Sequence, residues 1–220
     1  MKKTFILSFF LLATLVASAQ EETTNTLSIQ AVLDACIAMR DAAAANDTAA
    51  LRQSASDLKA LNTSDFAALR LQDGSKAQPS LRGHLVFCEE FADSLADGKD
   101  AYSKADPISA IRSIRGQTPD GSTFTKTCFA KAGKSVKYTF YSKGLQELAV
   151  VAEAGGLLTM QIHVTNSAGL NERHDDTKAV KQGLPFRKTS FTLPTDRRNT
   201  VELEVYNRSK KDCSFVVISN

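Results

Sequence analysis

The chain has 220 residues, 43% hydrophobic and 23% charged, with a formal net charge of +3, four cysteines and no tryptophan. That balance excludes a disordered chain, a collagen-like repeat and a disulfide-dense mini-protein. A charge so near zero, with no aromatic residues interleaved among the basic ones, argues against nucleic acid as a partner.

The first elements are those of an exported protein. Met1-Lys2-Lys3 is a short positive stretch, Phe5 to Val16 is apolar but for Ser8 and Thr14, and Ala17-Ser18-Ala19 offers small residues before Gln20. This order predicts a cleaved signal peptide over 1–19 and a site of action in the periplasm, at the outer surface or in the medium. The apolar run is shorter than the ~20 residues of a membrane span. No later segment is long and apolar enough, so no span is expected after signal removal. Without residues 1–19 the chain holds 25 basic and 24 acidic residues. Residues 20–120 carry 10 Lys/Arg against 15 Asp/Glu, and residues 121–220 carry 15 against 9. Such a split suggests two domains or a charged partner.

After a polar leader, 20–27, the spacing turns helical: Ile29, Val32, Leu33, Cys36 and Ile37 form one stripe. Asn46-Asp47 interrupts it, and Asp47 is placed to cap a second helix from Thr48 to Leu61. A third, short helical piece is expected over Thr63–Leu71. Residues 81–98 read equally well as a helix or as a strand leading into one. The segment 106–122, with Pro107, Pro119 and Gly121, is the expected linker between a helical domain over 28–105 and a second domain over 123–220.

From Thr123 the period changes to two. Val136, Tyr138 and Phe140 alternate with polar neighbours; so do Leu158, Met160, Ile162 and Val164, and then Val201, Leu203 and Val205. With Thr123–Phe129, Leu148–Ala152, Thr189–Leu193 and Cys213–Ser219 this makes about seven strands separated by turn residues. The expectation is α+β in two parts: a helical domain followed by an antiparallel β-sandwich.

Four cysteines allow three pairings. If disulfides form, Cys36–Cys88 and Cys128–Cys213 are the favoured pairs, one in each half; the alternative is four buried free thiols. No two cysteines have the short ligand spacing of a zinc site. No cofactor is implied.

The order of Val136–Tyr141, Glu147–Val151, Gly155–Leu158, Val201–Asn207 and Cys213–Asn220 resembles that of bacterial pre-peptidase C-terminal-like domains, and more loosely of GOLD-like sandwiches. The resemblance covers 123–220 and implies a non-catalytic accessory or binding role. Thr159 and Gln161 stand where that family carries acidic residues, so no metal role is carried over.

Motifs with clear catalytic mechanics are missing: no G-x-S-x-G, no H-E-x-x-H, no CxxC. Gly133-Lys134-Ser135 matches only the end of a phosphate loop. His84 reads as a packed or surface residue. His163 reads as a solvent-facing residue on the polar face of its strand, with Gln161 and Thr165, a face that could also contact a ligand. Asn171, Glu172, Asp175 and Asp176, around His174, form a weak candidate calcium loop, read in preference as a solvated hairpin loop. A Cys nucleophile at Cys88 or Cys128 has no local base to activate it. The basic residues say more. If Lys188–Leu193 and Thr200–Tyr206 are antiparallel neighbours, Arg187, Lys188, Arg208, Lys210 and Lys211 share one edge with Tyr206, and Arg197 and Arg198 lie at the other end. That patch suits a polysaccharide or another anionic envelope component. The expected function is thus an exported, non-catalytic binding or accessory protein of the bacterial envelope or medium. Two alternatives stand beside it: a structural envelope protein acting through protein contacts, and a hydrolase whose turnover would depend on a residue such as His84 or His163.

Overall fold

The computed structural model describes residues 24–61, 63–72, 123–175 and 183–220. The helical spacing gives α1 (Thr24–Ala45) and α2 (Thr48–Ala60). Asn46 takes a positive φ of 53° and turns the chain. The Asp47 carboxylate then accepts from the Ala49 and Ala50 amides at 3.1 and 3.0 Å, the cap read from the sequence.

The alternating stretches give β3 (Phe124–Ala130), β4 (Ser135–Ser142), β5 (Gly144–Ala152), β6 (Leu158–Asn166), β8 (Phe186–Leu193), β9 (Asn199–Asn207) and β10 (Cys213–Ser219). An eighth strand, β7 (Asn171–Asp175), occupies the segment expected to be a loop. It pairs with β6, Ile162 opposite His174 and Gln161 opposite Asp175. It contains no apolar residue, so no alternation marks it in the sequence.

Residues 63–71 correct the expected third helix. They form β1 (Ser64–Asp65) and β2 (Arg70–Leu71), an extended strap across the edge of the sandwich. β1 lies parallel to β3 and β2 antiparallel to β4. Between them Phe66 and Leu69 are buried, Phe66 edge-on to Phe140 at 5.1 Å between centroids. The Lys126 ammonium donates to the Leu69 carbonyl at 2.6 Å. Pairing with two sheets satisfies more backbone groups than one isolated helical turn could, and a helix this short is unstable alone.

Two five-stranded sheets result, in the orders β1-β3-β10-β5-β8 and β2-β4-β9-β6-β7. Their facing sides bury Tyr138, Leu148, Met160, Ile162, Phe191, Leu203 and Phe215. A second apolar layer lies outside the first sheet. Ile29, Val32, Leu33, Cys36 and Met39 of α1 pack on Ala149 and Val151 of β5 and on Val216 and Ile218 of β10, backed by Leu51 and Ala55 of α2. β10 and most of β5 are therefore buried on both faces. The fold is α+β with an antiparallel sandwich, and the described part of the helical half docks on it. The expected linker, 106–122, and the ambiguous segment, 81–98, lie outside the described residues.

The favoured Cys128–Cys213 pair is not formed. Cys36, Cys128 and Cys213 are free and buried, and Cys88 lies outside the described residues. The register sets Cys128 opposite Phe215 and Cys213 opposite Ala130, so the two thiols are diagonal rather than directly paired. Cys36 lies in the other apolar layer. Burial pushes the Cys36 thiol up to about 12. Burial, followed by the nearby Glu153 carboxylate, does the same to Cys213.

Three results are expected. Leu33→Ala, at a fully buried position of the outer layer, lowers unfolding stability by about 2–5 kcal/mol in a denaturant titration. Gly156→Ala places a Cβ 2.4 Å from the Cys213 sulfur and costs about 1–3 kcal/mol through overpacking. Alkylation followed by mass mapping labels Cys36, Cys128 and Cys213 without reductant, and only in denaturant; a linked Cys128–Cys213 peptide would contradict the structure.

Candidate functional site

The helices cover β5 and β10 on the outer side of the first sheet, and among the described residues the outer side of the second is left to polar side chains. Register arranges them in rungs. Thr139, Glu202, His163 and Arg173 stand side by side on β4, β9, β6 and β7, with Arg70 of β2 beside Thr139. On one side of this rung come Lys137, Glu204, Gln161 and Asp175. On the other side come Tyr141, Thr200, Thr165 and Asn171. Beyond Lys137 lie Ser135, Tyr206 and Thr159, and then Leu157, whose carbonyl accepts from the Arg208 amide at 2.7 Å. Neighbouring strands are about 4.8 Å apart and successive rungs about 7 Å. The face is therefore a grid of hydrogen-bonding groups, hollowed at its centre by a depression of about 410 Å³ between Lys137, Gln161, His163, Arg173, Glu202 and Glu204.

The grid is wired internally. The Lys137 ammonium lies 3.3 Å from Glu204 and 3.5 Å from Glu202. The Gln72 amide, arriving on the strap, donates to the other Glu202 oxygen at 2.7 Å. That hydrogen bond, and then Lys137, hold the Glu202 carboxyl below its ordinary range. Glu204, followed by Glu202, pushes Lys137 up. His163 is hydrogen-bonded to Asn171 at 2.7 Å through its Nε2. The two tyrosines at the ends of the grid are exposed, Tyr141 to 56% and Tyr206 to 39%. The Arg198 guanidinium lies 3.3 Å over the Tyr141 ring and leaves Tyr206 as the open aromatic.

The sequence-derived patch is dispersed by topology. β8 and β9 are not neighbours: β8 is the edge of the first sheet, paired with β5, and β9 is central in the second. Pro194–Arg198 crosses between the sheets instead of closing a hairpin. Arg187 points into the sandwich and is 2% exposed, its guanidinium donating to the Leu184 and Phe186 carbonyls. Lys188 turns outward beside α1, to Gln30 at 3.1 Å and Glu147 at 3.7 Å. Lys210 and Lys211 line a different hollow at one end of the sandwich, about 770 Å³, with Glu153, Asp212 and the Gly155-Gly156 turn. Tyr206 and Arg208 alone of the six belong to the open face or its end. Arg197 and Arg198 do lie at the opposite end, Arg197 paired with Asp196.

The candidate calcium loop is also redistributed. As a strand, β7 sends Asn171 and Asp175 to the outer face and Glu172 and His174 to the other. His174 stacks on Phe191 at 4.8 Å between centroids, and Asp176 lies outside the described residues. No group of three potential metal-ligating side chains is found among the described residues. Cys128 is buried against Tyr138, whose hydroxyl is pushed up first by burial and then by that thiol; it offers no accessible nucleophile. His163 stands on the polar face, as read. Reading missed Lys137, Glu202 and Glu204 as site residues. Their alternation was visible; the identity of the uncovered sheet was not.

No protein-family model matches the chain, and no curated protein matches it in sequence. Among solved structures it is similar to TmCBM61 in complex with β-1,4-galactotriose, at 9% identity and a TM-score of 0.27 over 46% of this chain and 83% of that one. It is similar to PliG, a periplasmic inhibitor of g-type lysozyme from Aeromonas hydrophila, at 14% identity and 0.30 over 47% and 90%. A de novo designed double-stranded β-helix matches at 12% identity and 0.24 over 44% and 97%. At such scores nothing about fold or function follows. No helix among the described residues is long and apolar enough to cross a membrane.

The wiring of Glu202 has a pH signature. Its value is lowered in the folded state, so its contribution to stability is complete above the ordinary carboxylate range and is lost as pH falls through the depressed value. Glu202→Gln is expected to lower stability by a few tenths to about 1 kcal/mol at neutral pH, the size of a partly exposed pair. The difference from the parent should shrink as pH falls from the ordinary carboxylate range and vanish once it is below the depressed value. A gap that persists at acid pH would mean Glu202 acts by packing and not by charge.

Proposed function

We propose that the chain is an exported, non-catalytic binding protein that lays a polysaccharide across the open face of the β2-β4-β9-β6-β7 sheet. The observation that carries this reading is the polar grid itself. The central strands β5 and β10 of one sheet are buried under helices, and among the described residues the other sheet keeps a continuous outward array of amides, hydroxyls, carboxylates and cations bounded by exposed tyrosines. Sugar hydroxyls donate and accept at once, and they suit a surface that presents both kinds of group at short intervals. Tyr206 and Leu157, both exposed at one end, provide an apolar patch for the flat side of a pyranose ring. From Tyr141 to Tyr206 the face runs six residues along β9, about 20 Å, or roughly four sugar rings at about 5 Å each. Export rests on the pattern of residues 1–19. The resemblance of 123–220 to pre-peptidase C-terminal-like domains points to the same accessory role.

Glu202 and Glu204 project from one side of β9 about 7 Å apart, a spacing that inverting glycosidases use. Such an enzyme needs one carboxyl that keeps its proton near neutrality. Lys137 instead bridges the two carboxylates at 3.3 and 3.5 Å, filling the gap that such an enzyme keeps for the glycosidic bond and its water, which favours binding over hydrolysis.

Retention of purified residues 20–220 on immobilised polysaccharides tests the reading. Tyr206→Ala and Gln161→Ala are each expected to weaken retention at least tenfold. The pair Lys210→Glu and Lys211→Glu, at the end hollow, should leave it unchanged. Loss confined to the lysine pair would move the site to the end of the sandwich. Retention of folded protein on no polysaccharide would end the proposal.

A further inference from the structure

Resting on that reading of the open face, we infer that it selects uncharged polyhydroxylated chains and turns polyanions away, with the Lys137–Glu202–Glu204 cluster as the discriminating element. The second half of the chain carries 15 Lys/Arg against 9 Asp/Glu, which by itself invites an anionic ligand. The structure places much of that excess elsewhere. Arg187 is inside the sandwich, Lys188 is turned to α1, Arg197 is paired with Asp196, and Lys210 and Lys211 border the end hollow. In the central depression two cations, Lys137 and Arg173, stand among three carboxylates, Glu202, Glu204 and Asp175. Lys137 sits within 3.5 Å of two of those carboxylates at once, so its charge is spent inside the protein. A carboxylate or sulfate carried into the depression would meet three carboxylates with the Arg173 guanidinium as the cation left to offset them, and like charges brought together on a binding surface are a strong basis for rejection. A neutral hydroxyl meets no such penalty. It can accept from Lys137, Gln161 or Arg173 and donate to Glu202 or Glu204.

The test compares neutral glucans, galactans, mannans and xylans with polyuronates and sulfated glycans on one array, at low and physiological salt. The parent protein should retain neutral chains at least tenfold better than any acidic one. The double variant Glu202→Gln/Glu204→Gln keeps the shape of the face and releases Lys137. It should gain at least tenfold for acidic chains, with the gain shrinking as salt rises. Tyr206→Ala should weaken neutral and acidic binding alike, and melting temperatures certify that each variant is folded. Acidic chains bound as tightly as neutral ones by the parent, in a manner sensitive to Tyr206→Ala, would overturn the selectivity and keep the face as the site. The same holds if the double variant gains nothing for acids. Glycan binding indifferent to Tyr206→Ala, or none at all, would overturn the face and the selectivity together.

Discussion

Everything in this molecule depends on β10 being buried from both sides. Phe215 and Val217 face the second sheet, Val216 and Ile218 face α1, and the strand pairs with β3 on one edge and β5 on the other. A strand so placed has no use for alternation, and its Phe215–Ile218 stretch is continuously apolar. Because the helices are spent on this sheet, the second is left to meet solvent. The clean polar alternation of β4, β6 and β9 is the counterpart of that arrangement. The grid of side chains proposed to receive a ligand is thus a consequence of where the core needed cover.

Much of the fold was legible because it follows from local periodicity. The stripe from Ile29 to Ile37, the cap at Asp47, the alternation in β4, β6 and β9 and the short apolar runs of β5 and β10 all describe single elements. The strap at 63–72 and β7 were not legible, and for opposite reasons. Phe66 and Leu69 have helical spacing and are buried by contacts with residues far along the chain, such as Thr125, Lys126 and Phe140. Asn171–Asp175 has no apolar pattern at all, since it is an edge strand held by its backbone against β6. The cation patch failed at the same level. The two strands were rightly found, but whether consecutive strands share a sheet is settled by the crossing at Pro194–Arg198, which local pattern does not encode. The polar face around His163 was visible on one strand; its extension to Lys137, Glu202 and Glu204 required the strand order.

Two fully buried asparagines show how the crossings are fixed. Asn199 begins β9 and Asn207 ends it. The Asn199 amide donates to the carbonyls of Ser142 and Pro194, and the Asn207 amide to those of Ala130 and Lys211. Each ties the end of one central strand to loops passing between the sheets and satisfies carbonyls that would otherwise be buried without partners. The cost of burying an amide is offset by two or more hydrogen bonds. The rungs on the outer side of β9 inherit their register from these two anchors.

The placement of β10 also has a consequence in time. The first helix of the described chain rests on a strand that is far away in sequence. Ile29, Val32, Leu33 and Met39 emerge from synthesis long before the surface they need, Val216 and Ile218. Gln72 likewise waits for Glu202, 130 positions later. Contacts of such long range slow folding, because chain entropy must be lost before they are made. Between those two points in synthesis the chain carries an apolar helix whose supporting sheet is not yet made.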